Sequence, residues 1–260
     1  MHKPVIFSDL DDTLFQTRRK MVNELAQEPF RTGALDRSLA PRSFMTEEQA
    51  MLVDWMLEQS DLIPVTARGT EEIARVTIPF RSWAITTHGA VILNPQGEAD
   101  AEWQALMLEK LAPYREQLLA MQQQITELMA ERKINAWARI NYEYNQTPIY
   151  LVMKHRDSSR LAELYTLADE IEHRFSTEGW YIHRNGNNIA WLPDVVEKGL
   201  AVHFLLQRLR AERGVFPVIG LGDSLSDHRF MQLCSWYGVP RQSQFAEHIH
   251  ATLPGGKNND

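Results

Sequence analysis

A short apolar segment near the N-terminus ends in a cluster of carboxylates. Val5–Phe7 is apolar and partly β-branched, which predicts a buried strand, and Asp9, Asp11 and Asp12 follow it. Ionising several neighbouring acids where a strand leaves the core is costly unless a cation compensates their charge. Mg²⁺ prefers carboxylate oxygens, and open α/β sheets bind their ligands at the carboxyl ends of the strands. The segment therefore predicts a metal site at the end of a parallel strand.

A second segment of the same design lies far along the chain. The apolar run Val218–Leu221 is followed by Gly222, Asp223 and Asp227. The first segment alone is also compatible with an acidic loop, but two such segments favour a shared site. Their acids can converge only if both strands lie side by side in one sheet, and together they supply the oxygen ligands that a Mg²⁺ ion needs.

Composition limits the classes of function. A chain of 260 residues can form one large domain or a core with a smaller module. The net charge of −7 argues against a general nucleic-acid binder, because no basic excess is available to neutralise phosphates. The single cysteine, Cys234, excludes an intrachain disulfide. Neither a secretory signal pattern nor an apolar stretch of membrane-spanning length is found, so we expect a cytoplasmic monomer or homodimer without a membrane partner.

The first hundred residues alternate between strand and helix patterns. Thr46–Gln49 has the pattern of a capping box that begins a helix, and Leu62–Thr66 and Trp83–Thr87 are the next predicted strands. The polar, irregular stretch Arg18–Phe44 predicts a helix followed by a long loop. Strands that alternate with helices are typical of a parallel sheet with helices on both faces.

The pattern changes near Gly97. A helical stretch runs from Glu102 to about Glu131 with a break near Pro113, and strands, a helix and a hairpin with Asn185-Gly186 as its turn follow it. We therefore predict an α/β fold with a Rossmann-like, doubly wound parallel sheet, formed by residues 1–96 and 190–260. Residues 97–189 form an inserted α+β domain, in which helices cover one face of an antiparallel sheet.

The residues at the strand ends are suited to attack on a phosphate monoester. Asp9 is placed to attack phosphorus and form an aspartyl-phosphate, and Asp11 to protonate the leaving alkoxide and then activate water. Asp9, Asp11 and Asp223, with a nearby backbone carbonyl, are the candidate ligands of Mg²⁺.

The remaining candidates would support these groups. Thr66 and Lys198 would stabilise the non-bridging phosphate oxygens, Asp227 would hold a metal-bound water or orient Lys198, and Thr13 and Ser224 lie close enough in sequence to assist the acids. Taken singly, Thr66 also fits a helix cap, and Lys198 and Asp227 also fit solvated surface positions.

Four segments resemble the motifs of the haloacid dehalogenase-like phosphatase superfamily, in the same order. These segments are Asp9-Leu10-Asp11-Asp12-Thr13, Thr66, Lys198 and Gly222–Asp227. The resemblance implies Mg²⁺ as the cofactor and, because the insertion lies between Thr66 and Lys198, a cap domain of the C2 type. Thr87-His88-Gly89-Ala90 is similar to an Asn-Gly-Ala segment of the Cof-type and sugar-phosphatase branch, which includes sucrose-phosphate and mannosyl-phosphoglycerate phosphatases, with His88 in place of Asn.

The expected function is the hydrolysis of a small phosphorylated metabolite, such as a sugar or polyol phosphate. A phosphotransferase or sugar phosphomutase on the same scaffold is an alternative, as is a non-catalytic ligand-binding protein. Polar side chains of the inserted domain and beside Thr66 are the candidates for substrate contact, although a polar sheet face needs no function. They are Arg68, His88, Arg139, Asn141, Arg184, Asn187 and Asn188.

Overall fold

The computed structural model describes residues 2–157 and 159–252, which divide into two compact units. The core unit consists of the residues up to Asp100 and from Glu197 onward, and the inserted unit consists of Ala101–Val196. Within the described ranges, no helix has the length and apolarity that crossing a membrane requires.

The core unit contains most of the strands and helices. Its first part contains β1 (Val5–Ser8), β2 (Gln16–Thr17), α1 (Arg18–Asn23), β3 (Arg31–Leu35), β4 (Pro41–Met45), α2 (Glu47–Gln59), β5 (Asp61–Pro64), α3 (Thr70–Ile73), β6 (Ala84–Thr86) and β7 (Val91–Leu93). Its second part contains α7 (Lys198–Arg213), β12 (Val218–Leu221), α8 (His228–Met231), β13 (Trp236–Gly238) and α9 (Gln244–Thr252).

A parallel sheet with the strand order β13-β12-β1-β5 forms the centre of the core unit. Strands β1 and β12 are neighbours, with Ser8 paired to Leu221, so the two acid-bearing strands lie side by side as the sequence predicts. A parallel bridge between Val65 and Ile85 continues the pairing to β6, which forms a hairpin with β7. The α/β prediction for this part of the chain is confirmed.

The two faces of the parallel sheet follow from the alternation of its side chains. Ile6, Leu62 and Ile219 belong to a cluster that also contains buried residues of α2. Val5 and Phe7, which alternate with Ile6, are fully buried as well. Strands buried on both faces are typical of doubly wound α/β sheets. Helix α2 begins with the predicted capping box between Thr46 and Gln49.

The prediction of a long loop within Arg18–Phe44 is wrong. Helix α1 is present, but β3 and β4 follow it and form an antiparallel sheet with β2, in the order β2-β4-β3. Strand β4 was missed because the sequence shows a proline, but Pro41 is the first residue of the strand, where a missing N–H is tolerated. Strand β3 was missed because Gly33 interrupts its pattern. An added Cβ at Gly33 would lie 2.7 Å from the Phe15 side chain, so the close packing there requires glycine.

The inserted unit is an antiparallel sheet covered by helices on one face. Its elements are α4 (Ala101–Leu111), a 3₁₀ turn (Ala112–Tyr114), α5 (Arg115–Glu131), β8 (Ala136–Glu143), β9 (Thr147–His155), α6 (Leu161–Arg174), β10 (Trp180–Asn185) and β11 (Asn188–Pro193). The strand order is β10-β11-β9-β8. Leu151, Met153, Ile189 and Trp191 pack with buried residues of α5 and α6 in one apolar cluster, which defines the helix-covered face of the sheet.

The hairpin of the inserted unit turns one residue later than predicted. Asn185 pairs with Asn188, so the turn consists of Gly186 and Asn187 instead of Asn185-Gly186. Arg184 pairs with Ile189 and therefore lies on the helix-covered face.

Candidate active site

Three buried carboxylates meet at the carboxyl end of the parallel sheet. Asp9, Asp223 and Asp227 are 6%, 9% and 1% exposed, and one oxygen of each lies within 4.8 Å of the other two. The backbone N–H of Asp9 donates to Leu221 O at 2.8 Å, so the end of β1 lies beside the loop that carries Asp223. The parallel pairing of β1 and β12 thus brings the two sequence segments together.

The ammonium of Lys198 lies between two of these acids. Its Nζ donates to Asp9 Oδ1 and to Asp227 Oδ1, each at 2.7 Å. Lys198 is the first residue of α7, and the Glu197 side chain caps this helix by accepting a hydrogen bond from Gly199 N at 2.7 Å. A cation in the first turn opposes the helix dipole, but the two carboxylates compensate that unfavourable position.

Burial and charge repulsion make the ionised form of two acids unfavourable. Burial raises the pKa of Asp9 well above its usual value, Lys198 opposes this increase, and Asp227 and Asp11 add to it. Burial, followed by Asp227 and Asp12, raises the pKa of Asp223 to about 6. Clustered carboxylates with raised pKa values form the oxygen donor set that a hard divalent cation favours, so these residues fit a Mg²⁺ ion.

Asp227 and Lys198 stabilise each other as ions. Burial disfavours the charge of Asp227, but Lys198 and hydrogen bonds from Ser224 outweigh it and lower the pKa of Asp227. Ser224 donates to Asp227 Oδ2 from its Oγ at 2.6 Å and from its backbone N at 3.1 Å. Burial also disfavours the charge of Lys198, but Asp227 and Asp9 raise the pKa of Lys198 above its usual value. Thr13, another supporting residue predicted from the sequence, donates to Asp9 Oδ2 at 3.4 Å.

The carboxylate of Asp11 is not part of this cluster of acids and is bound by Arg68 instead. The three acids close enough to share a metal ion are Asp9, Asp223 and Asp227, whereas the sequence predicted Asp11 as the third ligand. Both Asp11 oxygens accept hydrogen bonds from Arg68, at 2.7 Å from Nε to Oδ2 and at 2.7 Å from Nη2 to Oδ1. The side chain of Asp11 is thus held by the segment that follows β5.

Thr66 and His88 lie in the turns that follow β5 and β6. Thr66 is buried, and its Oγ1 accepts a hydrogen bond from the backbone N of Arg68 at 3.1 Å. The backbone N of His88 donates to Thr66 O at 3.0 Å, and His88 has a φ of 57°. The parallel register of β1 and β5, with Ser8 paired to Pro64, places these turns at the same edge of the sheet as Asp9.

Comparison with known proteins identifies the fold. No family model matches the chain, and no curated protein sequence matches it. The sucrose-phosphatase from Synechocystis has a similar structure, with a TM-score of 0.54 and 16% identity, over 99% of this chain and 90% of that one. A trehalose-6-phosphate phosphatase related protein has a TM-score of 0.51 and 17% identity, over 95% of this chain and 98% of that one. The C-terminal domain of trehalose-6-phosphate phosphatase from C. albicans has a TM-score of 0.51 and 16% identity, over 89% of this chain and 73% of that one.

The chain has the same fold as these solved structures. At these identities the similarity establishes the architecture, an α/β core with an inserted unit, and so confirms the resemblance predicted from the motifs at the level of the fold.

Of the substrate-contact candidates in the inserted unit, Arg139, Asn141 and Asn188 share one face of the sheet. Arg139 pairs with Val152 and Asn141 with Tyr150, which alternate with the apolar residues of the helix-covered face. Asn188 alternates with Ile189 in the same way. We call this the polar face of the inserted sheet. The Nδ2 atom of Asn141 is buried there without a hydrogen-bond partner among the described residues.

Arg184 and Asn187 serve the structure of the inserted unit itself. Arg184 forms ion pairs with Asp169 at 2.7 Å and with Glu172 at 2.6 Å, both on α6. Asn187 accepts a hydrogen bond from His155 N at 2.7 Å and donates to His155 O at 2.6 Å. Neither side chain belongs to the polar face. His183, which pairs with Ala190 on the polar face, was not among the residues predicted from the sequence.

Lys20 is a further neighbour of the site that sequence reasoning missed. Its Nζ lies 2.9 Å from Asp12 Oδ2, and Asp12 follows Asp11 with a φ of 65°. Lys20 ends the basic run Arg18-Arg19-Lys20, which in sequence is typical of solvent-exposed residues. Its pairing depends on the left-handed turn at Asp12, for which the sequence carries no specific signal.

Proposed function

We propose that the chain is a Mg²⁺-dependent phosphatase that hydrolyses a small phosphate monoester through an aspartyl-phosphate on Asp9. The observation that carries this proposal is the position of Asp9, a buried carboxylate between the Lys198 ammonium and the acids Asp223 and Asp227. A ligand-binding role alone has no need for a buried carboxylate with a raised pKa next to a second, more exposed one.

Asp9 is the proposed nucleophile. One of its oxygens forms a bond to phosphorus while the bond between phosphorus and the ester oxygen breaks. Lys198 holds Asp9 Oδ1, so the other oxygen has a fixed direction. A Mg²⁺ ion bound by Asp9 and Asp223 would supply positive charge that lowers the repulsion between the carboxylate and the substrate dianion.

Asp11 is the proposed general acid and base. The protonated carboxyl donates its proton to the departing alkoxide in the first step, and the resulting carboxylate accepts a proton from the water that attacks the aspartyl-phosphate in the second. The products are the alcohol and inorganic phosphate, and Asp9 and Asp11 return to their starting states. Thr66 and Lys198 are proposed to stabilise the non-bridging oxygens, where negative charge must be held during transfer.

Sugar or polyol phosphates are the proposed substrate class. The similar structures include phosphatases named for sucrose and for trehalose 6-phosphate. The polar face of the inserted sheet offers amide and guanidinium groups from Asn141, Asn188 and Arg139, which can hydrogen-bond sugar hydroxyls. We assign the selection of the alcohol part of the substrate to this face, as the C2-type cap of the family resemblance implies.

The test is phosphate release by the purified full-length chain. We expect hydrolysis of p-nitrophenyl phosphate and of a panel of sugar phosphates in the presence of Mg²⁺, and loss of both activities in EDTA. Asp9→Asn should lower kcat/KM by more than about a thousandfold. The matched control is Asp54→Asn, which changes an exposed acid of α2 that pairs with Arg31. Equal activities of wild type and Asp9→Asn would overturn the proposal, and movement of phosphate between sugar positions without release would indicate a phosphomutase.

A further inference from the structure

The Arg68 guanidinium is fixed on several sides. Its side chain is only 16% exposed, and its Cζ lies 5.1 Å from the centre of the buried Phe15 ring. Two parallel hydrogen bonds join it to the two oxygens of Asp11. A planar guanidinium bound at two points constrains the direction of a carboxylate, which a single contact does not.

The backbone of Arg68 is held as firmly as its side chain. Its N–H donates to Thr66 Oγ1 at 3.1 Å, and its carbonyl accepts from Thr87 N at 2.7 Å. The ring on which the guanidinium lies is fixed in turn, because Phe15 packs against Gly33 with no space for a Cβ atom. Arg68 thus has a defined position before any ligand binds.

Asp11, by contrast, lies in an exposed turn that would otherwise leave its side chain mobile. Its side chain is 49% exposed, and the turn contains Asp12 in the left-handed region, with a φ of 65°. An exposed carboxylate samples several rotamers, and selecting one of them costs conformational entropy during the reaction. The bidentate contact with Arg68 removes that freedom in advance.

We infer that Arg68 is a positioning residue that orients the Asp11 carboxylate toward the ester oxygen of the substrate. The inference rests on the proposed function and assigns Arg68 a role different from contact with the substrate. A residue of this kind acts only through Asp11, so its effect should be large for substrates whose leaving group needs a proton donor. It should be small for substrates whose leaving group departs unaided.

The test compares two substrates that differ in the leaving group. A sugar or glycerol phosphate releases a basic alkoxide, whereas p-nitrophenyl phosphate releases a stable phenolate. The parameter to measure is kcat/KM, because it reports the steps up to the departure of the alcohol from phosphorus. We expect Arg68→Gln to lower kcat/KM about 10- to 100-fold for the alkyl phosphate and less than about threefold for p-nitrophenyl phosphate. The same selective loss, of larger size, is expected for Asp11→Asn.

Two further variants exclude simpler explanations. Arg68→Lys keeps the charge but not the two-point contact, so it should show the same substrate-selective loss; full activity in this variant would overturn the inference. Adding Arg68→Gln to Asp11→Asn should cause no further loss, because both changes remove the same function. The matched control is Arg31→Gln, which breaks another bidentate pair, with Asp54 on the surface of α2, and should leave both substrates unaffected.

The outcomes separate this inference from the proposed function. Equal losses for the alkyl and aryl substrates would mean that Arg68 binds the phosphate group, and unchanged values would mean that it has no role; either result overturns the inference while the phosphatase activity stands. If wild type and Asp9→Asn are equally inactive toward every substrate, the proposed function itself fails.

Discussion

The ammonium of Lys198 lies 2.7 Å from Asp9 Oδ1, although 189 positions separate the two residues. The contact joins the first strand of the chain to the first turn of α7, on either side of the inserted unit in sequence. The same ammonium lies 2.7 Å from Asp227. One cation therefore compensates two acids that follow neighbouring strands of the sheet, so we expect Lys198 to contribute to stability as well as to the proposed chemistry.

Replacing Lys198 by methionine should destabilise the fold. Removing one partner of a buried ion pair leaves its carboxylates uncompensated, which typically lowers the free energy of unfolding by about 3–5 kcal/mol. Urea denaturation measures the change. Adding Asp227→Asn to Lys198→Met should restore part of the loss, because it removes one of the unpaired charges.

The control for this prediction is Lys3→Met, which changes an exposed lysine that donates only to Glu58 O. Its free energy of unfolding should change by less than about 0.5 kcal/mol. If Lys198→Met and Lys3→Met were equally stable, the ion pairs of Lys198 would contribute nothing to the fold.

Magnesium binding should weaken in acid. In the absence of metal, burial, Asp227 and Asp12 raise the pKa of Asp223 to about 6, and a divalent cation binds the ionised carboxylate. We expect the Mg²⁺ affinity measured by calorimetry to fall below pH 6, by up to about tenfold per pH unit. An affinity that stays constant between pH 7.5 and pH 5 would contradict the assignment of Asp223 as a ligand.

The same shift predicts how the stability of the metal-free protein depends on pH. The pKa of Asp223 is higher in the folded chain than its ordinary value of 3.8, so the folded state binds the proton more tightly than the unfolded state. Its contribution to stability is complete below about pH 4 and is lost as the pH rises through 6. Relative to Asp223→Asn, the melting temperature of the metal-free wild type should therefore fall from pH 5 to pH 7, and added Mg²⁺ should reverse the fall.

A local rule was sufficient to predict how the acids are arranged. Asp9 and Asp223 each follow an apolar strand closely, and neighbouring parallel strands deliver the residues after them to one edge of the sheet. The Arg68–Asp11 pair could not be predicted in this way, because it depends on the left-handed conformation of Asp12 and on the position of the Phe15 ring. The Phe15 ring is fixed by packing against Gly33, and the Arg68–Asp11 contact joins positions 57 apart in sequence.

The turn that follows β6 packs against the start of α7 and should not tolerate a side chain at Gly89. An added Cβ would lie 2.5 Å from the backbone oxygen of Glu197, and Gly89 has a φ of 97°. Gly89→Ala should displace the first turn of α7 and with it Lys198, so we expect a loss of about 1–3 kcal/mol in unfolding free energy and a lower kcat. The matched control is Gly97→Ala, because Gly97 has a similar φ of 81° but nothing within 4 Å of the added Cβ. It should lower stability through backbone strain alone and leave activity intact; a comparable loss of kcat in both variants would show that the contact with Glu197 is unimportant.

The hairpin of the inserted unit separates two adjacent asparagines that the sequence alone could not distinguish. A turn of Asn185-Gly186 or of Gly186-Asn187 satisfies the same pattern, yet the choice decides whether Asn187 belongs to the strand or to the turn. The structure places Asn187 in the turn, where its amide forms two hydrogen bonds with the backbone of His155, and Asn188 on the polar face.

Asn187→Ala should therefore change stability, whereas Asn188→Ala should change substrate binding. Asn187→Ala removes the side-chain partner of the N–H and of the carbonyl of His155. The melting temperature should therefore fall, by an amount equivalent to about 1–3 kcal/mol, with little change in KM. Asn188→Ala should leave the melting temperature nearly unchanged but raise KM for sugar phosphates and not for p-nitrophenyl phosphate, because only the sugar offers hydroxyl groups to the polar face. Thermal denaturation and steady-state kinetics on the same preparations measure both effects. The reverse pattern, with KM raised only by Asn187→Ala, would contradict the assignment of substrate contact to Asn188 and the polar face.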